Sequence, residues 1–257
     1  MPADAQSCIK RWQACSSFLK VTLGIEWRYG GYMNIVYALT SDYICKAIPS
    51  MTSLLEHNPK AKIYLLTEQD DVDLPFDVNV INITNQKWFS PKDPNYFNMF
   101  TYINLLKVCY ASILPCNKVI HLDADTIICD SLEPLCKTDI KGKWFAACPE
   151  HKGQYKPFGD LYYNMGVALI NLAQIRKDGI EARMVEYLNS VPQPWADQDA
   201  WNIYAIEQDM AVPIDVRFNE SHMTGMTNNP AIVHYCGLRD WYENKFIPRR
   251  EYLDKYL

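Results

Sequence analysis

Lys118-Val119-Ile120-His121-Leu122 runs straight into Asp123-Ala124-Asp125, and Thr126-Ile127-Ile128-Cys129-Asp130 follows. A short apolar run bounded by turn-prone residues reads as a buried parallel strand. Open α/β sheets place their ligands beyond the carboxyl ends of such strands. Two carboxylates one residue apart at that place repel each other and resist desolvation unless a cation or a proton compensates them. A helix N-cap with a solvated turn acid accounts for a bare D-x-D equally well.

The pattern on either side alternates. Upstream, residues 34–39 predict a strand, 44–57 an amphipathic helix, 61–66 a second strand and 78–83 a third. Residues 96–114 predict a helix, apolar at Phe100, Ile103, Leu106, Val108 and Ile113, that stops before Pro115. Downstream, 143–148 and 165–171 read as strands, 173–189 and 199–207 as helices, with further strands near Val212 and Ile232. Such alternation predicts an α/β fold with a central, mainly parallel sheet flanked by helices. No repeat or low-complexity linker interrupts it, so one continuous domain is expected.

At 257 residues the chain has ample core for that domain. Hydrophobic content of 49% and charged content of 21% exclude a disordered chain. A net charge of −5, without a basic stripe, argues against a nucleic-acid partner. The nine cysteines lie singly, with no C-x-x-C pair, so neither a disulfide framework nor a zinc knuckle is indicated. Cys45, Cys109 and Cys148 sit in apolar contexts where a free thiol packs as a small hydrophobe. A reducing, cytoplasmic compartment is expected. The apolar stretches are too short to span a membrane.

Residues 1–32 lack a period and lack the apolar core and cleavage site of a signal peptide. They read as an N-terminal extension, with Met33 the expected natural start. Residues 33–245 then form the domain, and 246–257 a C-terminal tail of aromatics with Arg249, Arg250 and Lys255. That tail is expected either as a short helix packed on the domain or as a peripheral contact with the inner membrane face, near a lipid-linked acceptor.

The first strand is followed by Ala38-Leu39-Thr40-Ser41-Asp42-Tyr43, without glycine. A dinucleotide fold needs glycines there for a pyrophosphate to reach the backbone, so a Rossmann dehydrogenase is disfavoured. Phosphates bound here need another counter-charge, and a divalent metal on Asp123 and Asp125 is the natural one. Three further segments are consistent with this. Val233-His234-Tyr235-Cys236-Gly237 is another strand end; His234 is either a satisfied core histidine or a ligand suited, with carboxylates, to Mn²⁺. Asp197-Gln198-Asp199 precedes a helix, as a cap with first-turn acids or as a functional cluster. Tyr162-Tyr163-Asn164-Met165-Gly166 enters a strand, its glycine marking either a bulge or close approach of a ligand.

Taken in order, the opening strand with Ala38, Thr40 and Tyr43, Leu122-Asp123-Ala124-Asp125, Tyr163-Asn164-Met165-Gly166-Val167, Asp197-Gln198-Asp199 and His234-Tyr235-Cys236-Gly237 resemble the retaining glycosyltransferases of family 8. That is the glycogenin and bacterial lipopolysaccharide galactosyltransferase group, and the resemblance runs from Met33 to about Trp241. It implies a GT-A (Rossmann-like) fold, a UDP-sugar donor, Mn²⁺ (or Mg²⁺), and a glycan, glycolipid or protein acceptor. Asp123, Asp125 and His234 would hold the metal. Ala38, Thr40, Asp42 and Tyr43 would line the uridine pocket, beside Ala124 of the D-A-D turn. Asn164, Asp197 and Gln198 would surround the transferred hexose, glucose or galactose, with Gln198 and Asp197 the catalytic candidates. Gly237 would let the diphosphate approach the backbone.

The chain departs from the family twice. His234 to Trp241 is one residue short of H-x-x-G-x-x-K-P-W and lacks its lysine and proline, leaving Arg239, or Lys245, as the candidate donor-side charge. In Thr101-Tyr102-Ile103-Asn104-Leu105, Asn104 stands where the family carries a basic residue. Both changes remove positive charge near the donor and raise the alternative of a weak or inactive UDP-sugar-binding protein. Asp123-Ala124-Asp125-Thr126 also partly fits the D-x-D-x-T motif of haloacid-dehalogenase-like phosphatases, but mid-chain and without that motif's glycine.

Overall fold

The computed structural model describes residues 33–98, 100–151, 161–238 and 240–257. The expected extension over residues 1–32 and the candidate Arg239 lie outside them. Nine strands form among the described residues: β1 (Asn34–Ala38), β2 (Lys62–Thr67), β3 (Asn79–Asn82), β4 (Val119–Leu122), β5 (Thr126–Ile128), β6 (Phe145–Pro149), β7 (Tyr163–Ile170), β8 (Ala211–Pro213) and β9 (Ile232–His234). Seven make one sheet in the order β3-β2-β1-β4-β7-β6-β8. β1, β2, β3 and β4 run parallel, as expected for an α/β chain, but β7 runs antiparallel to both β4 and β6, so the sheet is mixed. β5 and β9 form a second, two-stranded antiparallel sheet that residue patterning did not reveal.

Both faces of the large sheet are buried, which is why β1 and β7 are apolar at nearly every position. Along β1 the period-2 alternation splits the side chains between two cores. Ile35 and Tyr37 pack with Met51 and Leu54 of the first helix, α1 (Ile44–His57). Val36 and Ala38 face the opposite layer with Leu105, Val108, Met184 and Trp201. A third cluster, Ile127, Val233, Tyr235, Trp241, Ile247, Leu253 and Tyr256, lies against the small sheet. Burying each of its large side chains is worth roughly 1.5–3 kcal/mol, so residues 246–257 are tied to the domain rather than standing off as a tail. Arg249 also pairs with Glu220, and Lys255 with Glu56.

Two expected helices are broken. Among the described residues of 96–114 only α2 (Tyr102–Leu105), a 3₁₀ turn (Leu106–Cys109) and α3 (Tyr110–Ile113) form. Asn98 satisfies local backbone instead, its amide donating to the Asn95 carbonyl and its oxygen accepting from the Phe100 N–H, while Thr101 has φ 70°. Side chains that bond nearby backbone compete with helix in this way. Downstream of the short α4 (Glu133–Cys136), residues 173–189 divide into α5 (Leu172–Asp178) and α6 (Ile180–Ser190). Gly179 at φ 64° ends the first of these as a left-handed cap. Asp197-Gln198-Asp199 is the first turn of α7 (Asp197–Glu207) itself, not a loop ahead of it, and α8 (Arg250–Asp254) closes the chain.

Candidate active site

The D-A-D turn is held from every side. Asp123 N–H donates to the Gly166 carbonyl of β7 at 2.8 Å. The Thr126 hydroxyl donates to the Asp123 carbonyl at 2.9 Å. Thr126 accepts in turn from Ser50, and Ser50 from Tyr37, each at 2.8 Å, a buried hydroxyl chain that ties the turn to α1 and β1. Tyr235 N–H donates to the Asp125 carbonyl at 2.8 Å. The β5–β9 register pairs Thr126 with His234, carrying the histidine to the acids across more than a hundred residues of sequence.

Donor atoms of Asp123, Asp125 and His234 all lie within 4.8 Å of one another. His234 Nε2 is 3.2 Å from Asp125 Oδ1 and 3.8 Å from Asp123 Oδ2, and it is buried without a hydrogen bond. Gly166 leaves the room: a Cβ there would lie 2.2 Å from His234 Cε1 and 2.7 Å from Asp123 Oδ2. An orphaned imidazole nitrogen, two carboxylates and a cleared backbone fit a divalent cation. Burial works against charge on His234, but neighbouring Cys236 and Asp125 outweigh it and hold its proton well above the usual histidine range. A bound cation would displace that proton.

Asp123 is oriented by its other oxygen. Oδ1 lies 3.1 Å from Lys107 Nζ and accepts from His121 Nε2 at 2.8 Å. A carboxylate only accepts, so His121 Nε2 carries the hydrogen and Nδ1 takes the Tyr110 hydroxyl at 3.0 Å. Burial, then Lys107, keeps His121 neutral by pushing it down to about 4. Burial would raise Asp123, but the Lys107 ammonium and then His121 outweigh it and hold the carboxyl well below its usual range. Lys107, 4% exposed, also lies 3.5 Å from Asp197 Oδ2. Burial prevails at Asp197, lifting it to about 6 against the opposing pull of Lys107. Lys107 stays charged because its two carboxylates outweigh its own burial.

On the other flank, Asn164 and Gln198 meet at Glu150. Asn164 Nδ2 donates to Glu150 Oε1 at 2.9 Å and Gln198 Nε2 to the same oxygen at 3.2 Å. The expected sugar-side residues are thus assembled, through one carboxylate and one ammonium that sequence reasoning missed. Asp199 points away, accepting from the Tyr162 hydroxyl at 2.7 Å and the Trp195 N–H at 2.8 Å, and so serves the helix start.

The residues expected on the nucleotide side differ in exposure. Ala38 and Ala124 are buried. Thr40 is half-buried, its carbonyl accepting from Tyr43 N–H at 3.0 Å. The Tyr43 hydroxyl accepts from Trp241 Nε1 at 3.1 Å; burial raises its pKa, opposed by that bond, with the Asp125 charge adding to the rise. Asp42 and Lys245 are exposed. Gly237 has φ 69°, a conformation that favours glycine, and the His222 ring lies 3.4 Å from where its Cβ would stand. A different positive charge, buried at Lys107 one turn beyond Asn104, stands between Asp123 and Asp197. Its signal was a lysine in an otherwise apolar run, Leu105-Leu106-Lys107-Val108-Cys109. His121, inside the apolar strand, gave a similar hint, whereas Glu150 and Asn219, whose Oδ1 lies 2.8 Å from His234 Nδ1, gave none.

The model of Glycosyl transferase family 8 matches residues 34–244. The lipopolysaccharide glucosyltransferase WaaO of Escherichia coli is 22% identical over 254 residues, covering 82% of this chain and 73% of that protein. GlyA, a glycosyltransferase of Streptococcus pneumoniae, is 24% identical over 229 residues, 80% of this chain but only 32% of its own length. The chain likewise spans 52% and 58% of two other curated relatives, from Haemophilus influenzae and Bacillus subtilis. Among solved structures, an active-site mutant of LgtC superposes with a TM-score of 0.65 at 20% identity, covering 87% of this chain and 95% of that one. GlyE of Streptococcus pneumoniae gives 0.65 at 20% identity over 88% and 60%. The folds agree, and with the family matched from β1 to beyond β9, the chain belongs to glycosyltransferase family 8.

Proposed function

We infer that this chain transfers a hexose from a UDP-sugar to a glycan, glycolipid or protein acceptor, with Mn²⁺ or Mg²⁺ at Asp123, Asp125 and His234 and with retention of configuration. The observation that carries the reading is the buried Nε2 of His234, without a hydrogen bond and 3.2 Å from Asp125 Oδ1, facing two carboxylates across the cleared backbone of Gly166. The crystal structure of LgtC in complex with donor and acceptor sugar analogues supports a two-substrate site on this fold. A cation bound there would supply Lewis-acid stabilisation of the departing diphosphate, worth several kcal/mol.

The chain's own residues do the rest. Lys107 and His121 fix Asp123 Oδ1, leaving Oδ2 toward the cation site. Gln198 is locked at both ends of its amide, its oxygen by Met165 N–H at 2.9 Å and its nitrogen by Glu150. An amide so engaged is a poor nucleophile and a good positioning group, which supports front-face attack over a covalent intermediate on Gln198. The family assignment gives no support to the phosphatase alternative.

The test is UDP release from a panel of UDP-sugars with Mn²⁺, comparing the parent with Asp125→Asn. Release from one sugar, abolished by chelator and by the substitution, is the expected result. UDP binding without release from any sugar, with or without acceptors, would instead identify an inactive binder.

A further inference from the structure

The polar groups behind the site hand their hydrogens toward Glu150 from both flanks. A backbone N–H only donates, so the Asn164 atom that meets Gly166 N–H at 3.1 Å is Oδ1. The Asn164 nitrogen therefore faces Glu150. Asn219 reaches the same Asn164 oxygen at 2.9 Å and must do so with Nδ2. Its own Oδ1 is thereby turned to His234 Nδ1, 2.8 Å away. An amide oxygen only accepts, so Nδ1 of His234 carries a hydrogen and Nε2 is the nitrogen left for a cation. On the far flank the Met165 N–H fixes Gln198 Oε1, which sends the Gln198 nitrogen to Glu150 as well. Asn219 is 0% exposed, Asn164 5% and Glu150 8%, and Glu150 Oε2 is buried without a hydrogen bond.

We propose that Asn219, Asn164 and Glu150 are positioning residues of a single relay that presents Nε2 of His234 to a divalent cation at one end and holds Gln198 at the other. The inference rests on the metal-dependent reading above and assigns the two ends different duties. The Asn219 end governs metal affinity. The Glu150 end, separated from His234 by two amides, governs turnover through Gln198.

The experiment titrates Mn²⁺ into the full chain with saturating UDP, by calorimetry, and measures transfer kinetics in parallel. Asn219→Leu removes the acceptor of the histidine hydrogen and weakens Mn²⁺ binding about 10–100-fold, the usual cost of losing such a partner. Asn219→Asp, which still accepts that hydrogen but loses the donor to Asn164 Oδ1, keeps more Mn²⁺ affinity than Asn219→Leu. Glu150→Ala leaves Mn²⁺ affinity near the parent but lowers kcat by at least about tenfold with little change in donor KM. Glu150→Gln, whose amide oxygen still accepts both hydrogens, restores most of that loss. Parent-like Mn²⁺ affinity in a folded Asn219→Leu protein, or equal impairment of the two Glu150 variants, would overturn the relay. Ring ¹⁵N shifts of His234 in the Mg²⁺-loaded parent need no variant: Nδ1–H is expected, and Nε2–H overturns the proposal. Asp125→Asn in the same titration separates the two claims. If the parent fails to bind Mn²⁺, the metal-dependent reading and the relay fall together; if it binds and only the relay variants disagree, the relay alone falls.

Discussion

The chain carries two acidic pairs of the same form, Asp123-Ala124-Asp125 and Asp197-Gln198-Asp199, and the fold uses them in opposite ways. In the first, a strand-end turn lets both carboxylates converge on His234. In the second, the first turn of a helix sends the two acids apart, Asp197 to Lys107 and Asp199 to Tyr162 and the Trp195 N–H. Their proton affinities diverge with their neighbours. Lys107 and His121 hold Asp123 well below the usual carboxylate range, whereas burial lifts Asp197 to about 6. The spacing D-x-D has no chemistry of its own; backbone direction and the nearest cation confer it.

Exchanging the roles by substitution tests the contrast. Asp125→Asn should lower transfer by about a thousandfold or more, the equivalent of losing several kcal/mol of charge stabilisation; parent-like rates would end the metal assignment. Lys107→Met strips the cation from between the pairs, and removing one partner of a buried ion pair costs about 3–5 kcal/mol. Urea unfolding should show that loss, and Asp197→Asn in the same background should recover part of it; strictly additive losses would mean the ammonium and Asp197 are not coupled.

A pH series reads Asp197 directly. Its folded value is raised from 3.8 to about 6, so the folded chain holds the proton more tightly than the unfolded one. The stabilising contribution is full below about pH 4 and is lost as pH rises through about 6. Relative to Asp197→Asn, the metal-free parent should therefore lose on the order of 2–3 kcal/mol across that window. A difference that stays flat with pH would show Asp197 unshifted.

Gly166→Ala should leave the protein folded but weaken Mn²⁺ about 10–100-fold, because the added methyl displaces His234 and Asp123. Unchanged Mn²⁺ affinity in a titration would mean that neither side chain is a ligand. Asp199→Asn is the mildest change. It keeps one of the two acceptor oxygens, enough for the Trp195 N–H, while the Tyr162 hydroxyl must turn to accept from the new amide, so about 1 kcal/mol of stability and little activity should go; a large loss of transfer would put Asp199 in the site.

Legibility followed the range of the interaction. β1, α1, β2 and β4 stand within a residue or so of where periodicity predicted them, because each is set by its own apolar run. The helix expected over 96–114 failed because Asn98 bonds its neighbours' backbone and Thr101 takes a positive φ. Asp123, Asp125 and His234 were nameable through a family resemblance, and Gly166 was visible as a motif glycine. Lys107, Glu150 and Asn219 were not, since a buried charge or amide is recognisable only once its partners are known.

Residue order by itself determined an α/β chain with a pair of acids at a central strand end, because apolar periodicity and turn chemistry are local. Only the tertiary structure decided that β7 runs antiparallel and that β9 pairs with β5. It also placed Lys107 between Asp123 and Asp197. Those outcomes rest on contacts between distant segments, whose energies depend on distance, burial and hydrogen direction, and none of these is a property of a residue in its sequence window.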